Sequence, residues 1–134
     1  MRVMLTGASG LLGRAFVGAF KDSSELKACA FSRCGADFIS VDLRNEEQVN
    51  QAVNDFQPQL IIHSAAERRP DICEKEHGIT DSLNIAAVET LSRAALKANA
   101  ALIYISTDYV FDGTSAPYAV DDLPNPLNYY GTSK

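Results

Sequence analysis

The chain alternates between two hydrophobic periods. Arg2–Thr6 is a short apolar run with strand character, and Leu11–Phe20 follows with Leu12, Ala15, Phe16 and Ala19 at helical spacing. Leu26–Phe31 reads as a second strand and Asp37–Val41 as a short third. Asn45 predicts a helix N-cap, and Gln48 at the third helical position completes a capping-box pair. Val49, Ala52, Val53 and Phe56 supply the apolar stripe of that helix, which Pro58 stops. Leu60–His63 is a continuous apolar run, as carried by a strand covered on both faces. Asp81–Asn99 is predicted helical, with Leu83, Ala87, Leu91 and Ala95 on one face. Ala101–Ser106 is a fifth strand, Asp112–Leu127 a loop rich in Gly, Pro and Asn, and a last helix starts near Asn128.

Strands alternating with helices imply an α/β fold with a parallel sheet covered on both faces. Right-handed crossovers then favour the doubly wound strand order 3-2-1-4-5. The length of 134 residues fits one domain, spanning residues 1–134. A hydrophobic content of 46% with 22% charged residues is ordinary for a globular chain. The net charge of −5 argues against a general nucleic-acid binder. No apolar run approaches the roughly 18–20 residues that cross a bilayer, and the strand-like MRVMLTG start is unlike a signal peptide. The odd set Cys29, Cys34 and Cys73 lacks CxxC spacing, so neither a disulfide framework nor a metal site is expected, and a reducing cytoplasm is the default compartment.

The first strand runs directly into Thr6-Gly7-Ala8-Ser9-Gly10-Leu11-Leu12-Gly13, a G-x-x-G-x-x-G pattern that opens a helix. Gly7 allows the tight turn, Gly10 lets backbone approach a diphosphate, and Gly13 lets helix pack close to strand. The amides from about Ser9 to Leu12 then point at the phosphates from a helix N-terminus, whose dipole favours anions. Strand end followed by helix start is the context a dinucleotide-binding turn requires, which makes the expected fold Rossmann-type. Ser32-Arg33-Cys34 closes the second strand, with Arg33 twenty residues after Gly13. An acid there accepts the ribose hydroxyl of NAD, whereas an Arg suits the extra phosphate of NADP, so NADP(H) is the expected cofactor. Arg14 is a second candidate for that phosphate. Asp42 and Leu43 close the third strand beside the expected adenine position. There Asp42 accepts from the exocyclic amine and Leu43 packs on the ring, or the pair only prepares the following helix cap.

The fifth strand ends in Tyr104-Ile105-Ser106-Thr107-Asp108-Tyr109-Val110-Phe111-Asp112-Gly113, and Tyr130-Gly131-Thr132-Ser133-Lys134 comes later. Tyr130 and Lys134 at i, i+4 share a helix face. An ammonium beside a phenol lowers the phenol's pKa, so that it serves as acid or base toward a carbonyl or carbinol. A hydroxyl at the end of strand five can hold the same oxygen. His63 lies within an apolar strand and reads as a satisfied core residue rather than a base, and His77 as part of an exposed charged turn. Asn84 either relays hydrogen bonds toward strand five or lies on the helix surface.

This combination resembles the extended short-chain dehydrogenase/reductases. Within them, S-T-D-Y-V-F-D-G followed by P-L-N-x-Y-G-x-S/T-K is similar to the branch containing dTDP-4-dehydrorhamnose reductase, over essentially the whole chain. The resemblance implies Thr107 as the substrate-holding hydroxyl, Tyr130 as proton donor, and Lys134 as the residue that tunes Tyr130 and binds the nicotinamide ribose. After strand four, Ala65-Ala66-Glu67-Arg68-Arg69-Pro70-Asp71 is similar to the regulatory β subunits of methionine adenosyltransferase, an NADP-binding group of the same branch. That likeness implies Ser64 at the cofactor's border and Arg68 reaching for its phosphates; alternatively Arg68 and Arg69 are a surface pair balanced by Asp71 and Glu74.

The family's fold continues past residue 134, so the chain reads as a truncated Rossmann domain without the C-terminal substrate lobe and with strand five at an open edge. The expected role is a regulatory subunit partnered with catalytic methionine adenosyltransferase. The alternative is an NADPH-dependent reductase of a dTDP-linked keto sugar, and the presence of Thr107, Tyr130 and Lys134 does not decide between them.

Overall fold

A computed structural model describes residues 1–31 and 38–134. The elements run β1 (Arg2–Thr6), α1 (Leu11–Phe20), β2 (Glu25–Ala30), β3 (Ile39–Ser40), α2 (Glu46–Phe56), β4 (Leu60–His63), α3 (Pro70–Lys75), α4 (His77–Asp81), a π-helical turn (Ser82–Ala86), α5 (Ala87–Lys97), β5 (Ala101–Tyr104), a 3₁₀ turn (Asp108–Val110) and α6 (Tyr129–Ser133). The five strands form one parallel sheet in the order β3-β2-β1-β4-β5. That is the expected doubly wound topology, with β1 at its centre and all carboxyl ends on one rim.

Alternation of side chains along β1 divides the core. Met4 packs on one face with Ile61, Val49, Val53, Leu91 and Ala95, under α2 and α5. Val3 and Leu5 pack on the other with Ile62 and Ala28, under α1. The Leu83/Ala87/Leu91/Ala95 stripe predicted for the long helix does face the core.

Several elements differ from the sequence reading. The stripe expected for α1 rotates: Leu12 is 45% exposed and Gly13 is buried, with Phe16, Val17 and Phe20 turned to the sheet. The reason is Gly13 itself. A Cβ there would overlap the Gly7 carbonyl, so this is the point where helix meets strand. Asn45 caps α2 as expected, accepting from the Gln48 amide at 3.1 Å. The Gln48 side chain does not return the bond; its Oε1 accepts from the Asp42 amide at 2.9 Å and so ties the end of β3 to the helix. The helix stops at Gln57, in the left-handed region at φ 49°, one residue before Pro58. The described part of β3 is two residues long, and β5 ends at Tyr104, two residues earlier than expected.

The segment 70–80, where the sequence predicted no helix and His77 read as an exposed turn, folds into α3 and most of α4. His77 opens α4 and is exposed. Its ring lies flat on Tyr129 at 3.6 Å between centroids. Helix α4 then runs through the π-helical turn into α5, so the long helix begins four residues before Asp81. No helix among the described residues is long and apolar enough to cross a membrane.

Candidate functional site: a cleft at the carboxyl ends of the strands

A cleft of about 670 Å³ opens along the carboxyl rim of the sheet. It is within the size range of small-molecule and cofactor sites, and lies where ligands bind in open α/β sheets. Its floor is the turn after β1. Gly7 adopts φ +73°, and a Cβ on it would strike the backbone of Ser64 and Ala65. This glycine therefore permits both the turn and the close approach of the β4 loop. The Gly10 amide donates to the Gly7 carbonyl at 3.0 Å, which closes the turn. That bond takes Gly10 out of the run of phosphate-facing amides expected from sequence. The first-turn amides of α1, at Leu11 and Leu12, have no carbonyl one turn back to meet. Gly10 is the N-cap and supplies no side-chain cap. The helix thus presents bare N–H groups and its positive dipole end to the cleft.

One wall is the β4–α3 loop, Ser64 to Arg69. Ser64 Oγ donates to the Thr6 carbonyl at 2.8 Å, pinning the loop's start to β1. Arg69 pairs with Glu67 at 2.5 Å, and the guanidinium beside Glu67 holds that carboxyl below its ordinary range. Glu67, not Asp71 or Glu74, is therefore the partner of Arg69, while Arg68 lines the cleft and forms no ion pair among the described residues. Asn84, buried in the π-helical turn, spends its whole amide on this wall. Its Oδ1 accepts from the Glu67 amide at 2.8 Å, and its Nδ2 donates to the Glu67 carbonyl and to Ser133 Oγ, each at 2.9 Å. The relay runs to α6, not to strand five, because the π-helical turn presents Asn84 between the loop and that helix.

The opposite end carries Tyr130 and Lys134. Asn128 caps α6 through the Gly131 amide at 2.8 Å. Tyr129 fastens the helix from outside: its amide donates to Glu74 Oε1 at 2.6 Å and its hydroxyl to Asp81 Oδ1 at 2.7 Å. Nothing in the residue spacing marked this clasp; only the packing of α6 on α3 and α4 creates it. Lys134 Nζ does not sit on the Tyr130 hydroxyl as the i, i+4 spacing implied. It donates to the Ile105 carbonyl at 2.7 Å and stands 4.0 Å from the centre of the Tyr104 ring. Burial lowers its pKa to about 8. The Tyr130 phenol is pushed above its ordinary value by burial, with a Thr107 hydrogen bond acting against this. The expected lowering by the lysine is thus reversed. Thr107 caps the 3₁₀ turn through the Tyr109 amide at 3.3 Å and is not part of the cleft wall.

His63 is buried, as the apolar strand implied. Its Nδ1 lies 2.6 Å from Thr6 Oγ1, while Nε2 has no partner among the described residues. Burial first, then the Lys134 charge, lowers its pKa to about 4. It is a neutral imidazole of the core.

At the far end, Asp42 and Leu43 line the cleft. Leu43 is buried. Asp42 is held by Arg44 through two bonds of 2.8 Å and holds its carboxyl below the ordinary range in consequence. Arg44 lines the cleft with Phe31, neither having been singled out from sequence. Ser32, Arg33 and Cys34 lie outside the described residues. Gly7, Ser9, Gly10, Leu11, Leu12, Gly13, Asp42, Leu43, Ser64, Arg68, Tyr130 and Lys134 all line this one cleft, whereas Arg14 is exposed and is not among its lining residues.

The family model described as RmlD substrate binding domain matches residues 1–134. The chain is 48% identical over 134 residues to "Methionine adenosyltransferase 2 subunit beta" of Xenopus laevis, covering 99% of this chain and 40% of that protein. It is 37% identical to the dTDP-4-dehydrorhamnose reductase of Aggregatibacter actinomycetemcomitans, covering 44% of it. Among solved structures, that of dTDP-4-dehydrorhamnose reductase from Bacillus anthracis str. Ames in complex with NADP superposes with a TM-score of 0.87 at 34% identity, covering 98% of this chain and 45% of that one. The chain thus spans less than half the length of these relatives. On the match of that family model along its whole length, supported by the superposition on a solved reductase, the chain belongs to the RmlD substrate binding domain family of extended short-chain dehydrogenase/reductase-like proteins.

Proposed function

We propose that this chain is the nucleotide-binding part of an NADP(H)-binding regulatory protein, a β subunit that associates with catalytic methionine adenosyltransferase and modulates S-adenosylmethionine synthesis. The observation that carries the reading is that Ala65–Arg69, the string similar to such subunits, forms the cleft wall facing the glycine turn. The higher identity to the Xenopus β subunit than to the bacterial reductase supports it.

The residues present fit a dinucleotide. The glycine turn leaves a cradle that a Cβ would fill, and the uncapped N-terminus of α1 faces it. Backbone amides of α1 hold the diphosphate, Arg68 reaches its outer oxygens, and Ser64 borders it. Asp42 and Leu43 would take the adenine, Lys134 and Tyr130 would hold the nicotinamide ribose, and Ser32, Arg33 and Cys34, outside the described residues, are assigned from sequence to the phosphorylated ribose. A bound nicotinamide would supply hydride at the Tyr130 end of the cleft. In the regulatory reading the same residues serve only as ligands, and occupancy stabilises the cleft against which a partner packs.

Copurification of the full-length protein with the catalytic subunit, and a shift in that enzyme's kinetics on mixing, are the expected results. No association at micromolar concentrations would remove the regulatory reading.

A second reading has its own support in Tyr130 and Lys134 lining the same cleft. In an NADPH-dependent reductase of a dTDP-linked keto sugar, Thr107 holds the substrate carbonyl oxygen and Tyr130 donates the proton to it. Lys134, charged below about pH 8, keeps the site positive. NADPH oxidation by the full-length protein with the keto sugar tests this reading, and silence across related nucleotide sugars would exclude it.

A further inference from the structure

The carboxyl ends of β2 and β3 are neighbours, paired through Ala30 and Ser40. A group standing on both can reach a ribose substituent at the adenine end of the cleft. Arg44 stands there. It follows Asp42-Leu43, lines the cleft, and its guanidinium carbon lies 5.2 Å from the centre of the ring of Phe31, the residue after β2. Its side chain is 43% exposed, so it is reachable. Asp42 grips one edge of it: Nε donates to Oδ1 and Nη2 to Oδ2, each at 2.8 Å. A guanidinium carries five N–H donors in a rigid plane. Two are spent on Asp42, and the Phe31 ring covers one face, so the orientation is set in advance and the remaining edge is presented. A pre-set fork of donors suits a phosphate monoester.

We infer that Arg44 is a specificity-determining residue for the phosphorylated ribose: its unspent edge binds the 2′-phosphate of NADP(H), with Asp42 and Phe31 as its positioning residues. This rests on the cofactor reading above and adds a reader after β3 to the Arg33 expected from sequence. The neighbouring carboxylate offsets part of the positive charge, so the contact discriminates by geometry as much as by charge.

The test is titration of the full-length protein with NADPH and with NADH, followed by nucleotide fluorescence, for wild type, Arg44→Gln and Arg44→Lys. Arg44→Gln should weaken NADPH by about tenfold, the 1.4 kcal/mol of a single good contact, and leave NADH within about twofold. Arg44→Lys should fall between, since it keeps the charge and loses the fork. The NADPH salt dependence should also become shallower in Arg44→Gln. A purely structural Arg44 would weaken both nucleotides alike, and an unchanged NADPH-to-NADH ratio in both variants overturns the assignment while leaving the cofactor reading standing. Wild-type protein that binds neither nucleotide overturns both together.

Discussion

The turn after β1 and the helix α6 face each other across one cleft, yet they are built from different materials. The turn is backbone. Its shape comes from Gly7 in the left-handed region, from Gly13 pressed on the Gly7 carbonyl, and from a helix N-terminus without a side-chain cap. Its chemistry, a row of N–H groups at a dipole's positive end, needs no side chain at all. The α6 end is made of side chains whose properties are set by partners distant in sequence. Lys134 is fixed by the Ile105 carbonyl and the Tyr104 ring, Tyr129 by Glu74 and Asp81, and Ser133 by Asn84. Phosphate recognition by backbone tolerates almost any side chains around it but no Cβ at two positions. The α6 end tolerates no loss of its neighbours.

The contrast can be broken first at Gly13. Gly13→Val places atoms inside the Gly7 carbonyl, and backbone cannot step aside. Overpacking at such a contact should cost about 2 kcal/mol or more in urea unfolding, and nucleotide binding should be lost altogether. A variant that binds NADPH as tightly as wild type would show that the turn is not the cradle.

His63 sharpens the side-chain half. Its pKa is lowered to about 4 in the fold against an ordinary 6.5. The unfolded chain therefore takes up the proton first as pH falls. Stability from this group is fully present above about pH 6.5 and is lost progressively down to about pH 4, by about 3 kcal/mol at most. Denaturation midpoints across that window should fall in wild type, and the slope should flatten in His63→Asn.

Next comes Asn84→Ala, which leaves the Glu67 amide and Ser133 Oγ without this partner and separates the β4 wall from α6. A loss of about 2 kcal/mol is expected from the buried groups left unpaired, readable by chemical denaturation. Arg69, tied to Glu67 at the surface, should matter far less.

Smallest is Tyr129→Phe, which deletes the bond to Asp81 but keeps the ring on His77. About 1 kcal/mol should go, as for one net hydrogen bond. A measured loss as large as that of Asn84→Ala would mean that the clasp is worth more than a single bond.

The sheet order, both helical core stripes of α2 and α5 and the glycine turn were legible in residue order because each depends on local periodicity or on a residue type without a substitute. Asn45 announced its own cap. What failed to show was of another kind. The sequence spacing put Lys134 on Tyr130 and read a lowered phenol pKa, but burial raised it and the ammonium went to a carbonyl 29 residues away. The segment 70–80 showed no helix in residue order because Ile72, Cys73 and Ile79 are too few to mark a stripe; its two short helices pack with α6, and Cys73 and Thr80 are buried. Arg44 looked like a solvated charge beside a helix cap until β2 brought Phe31 beneath it.

Residue order alone decided where backbone must bend, where strands and helices alternate, and hence that a nucleotide-sized cleft would open at β1. Packing alone decided which amides stay unspent, which way Lys134 and Asn84 turn, and which groups keep their protons. The reason is range. A glycine's freedom and a hydrophobic stripe are properties of a few neighbouring residues, whereas desolvation and hydrogen-bond partnership belong to whatever the fold brings within a few ångströms.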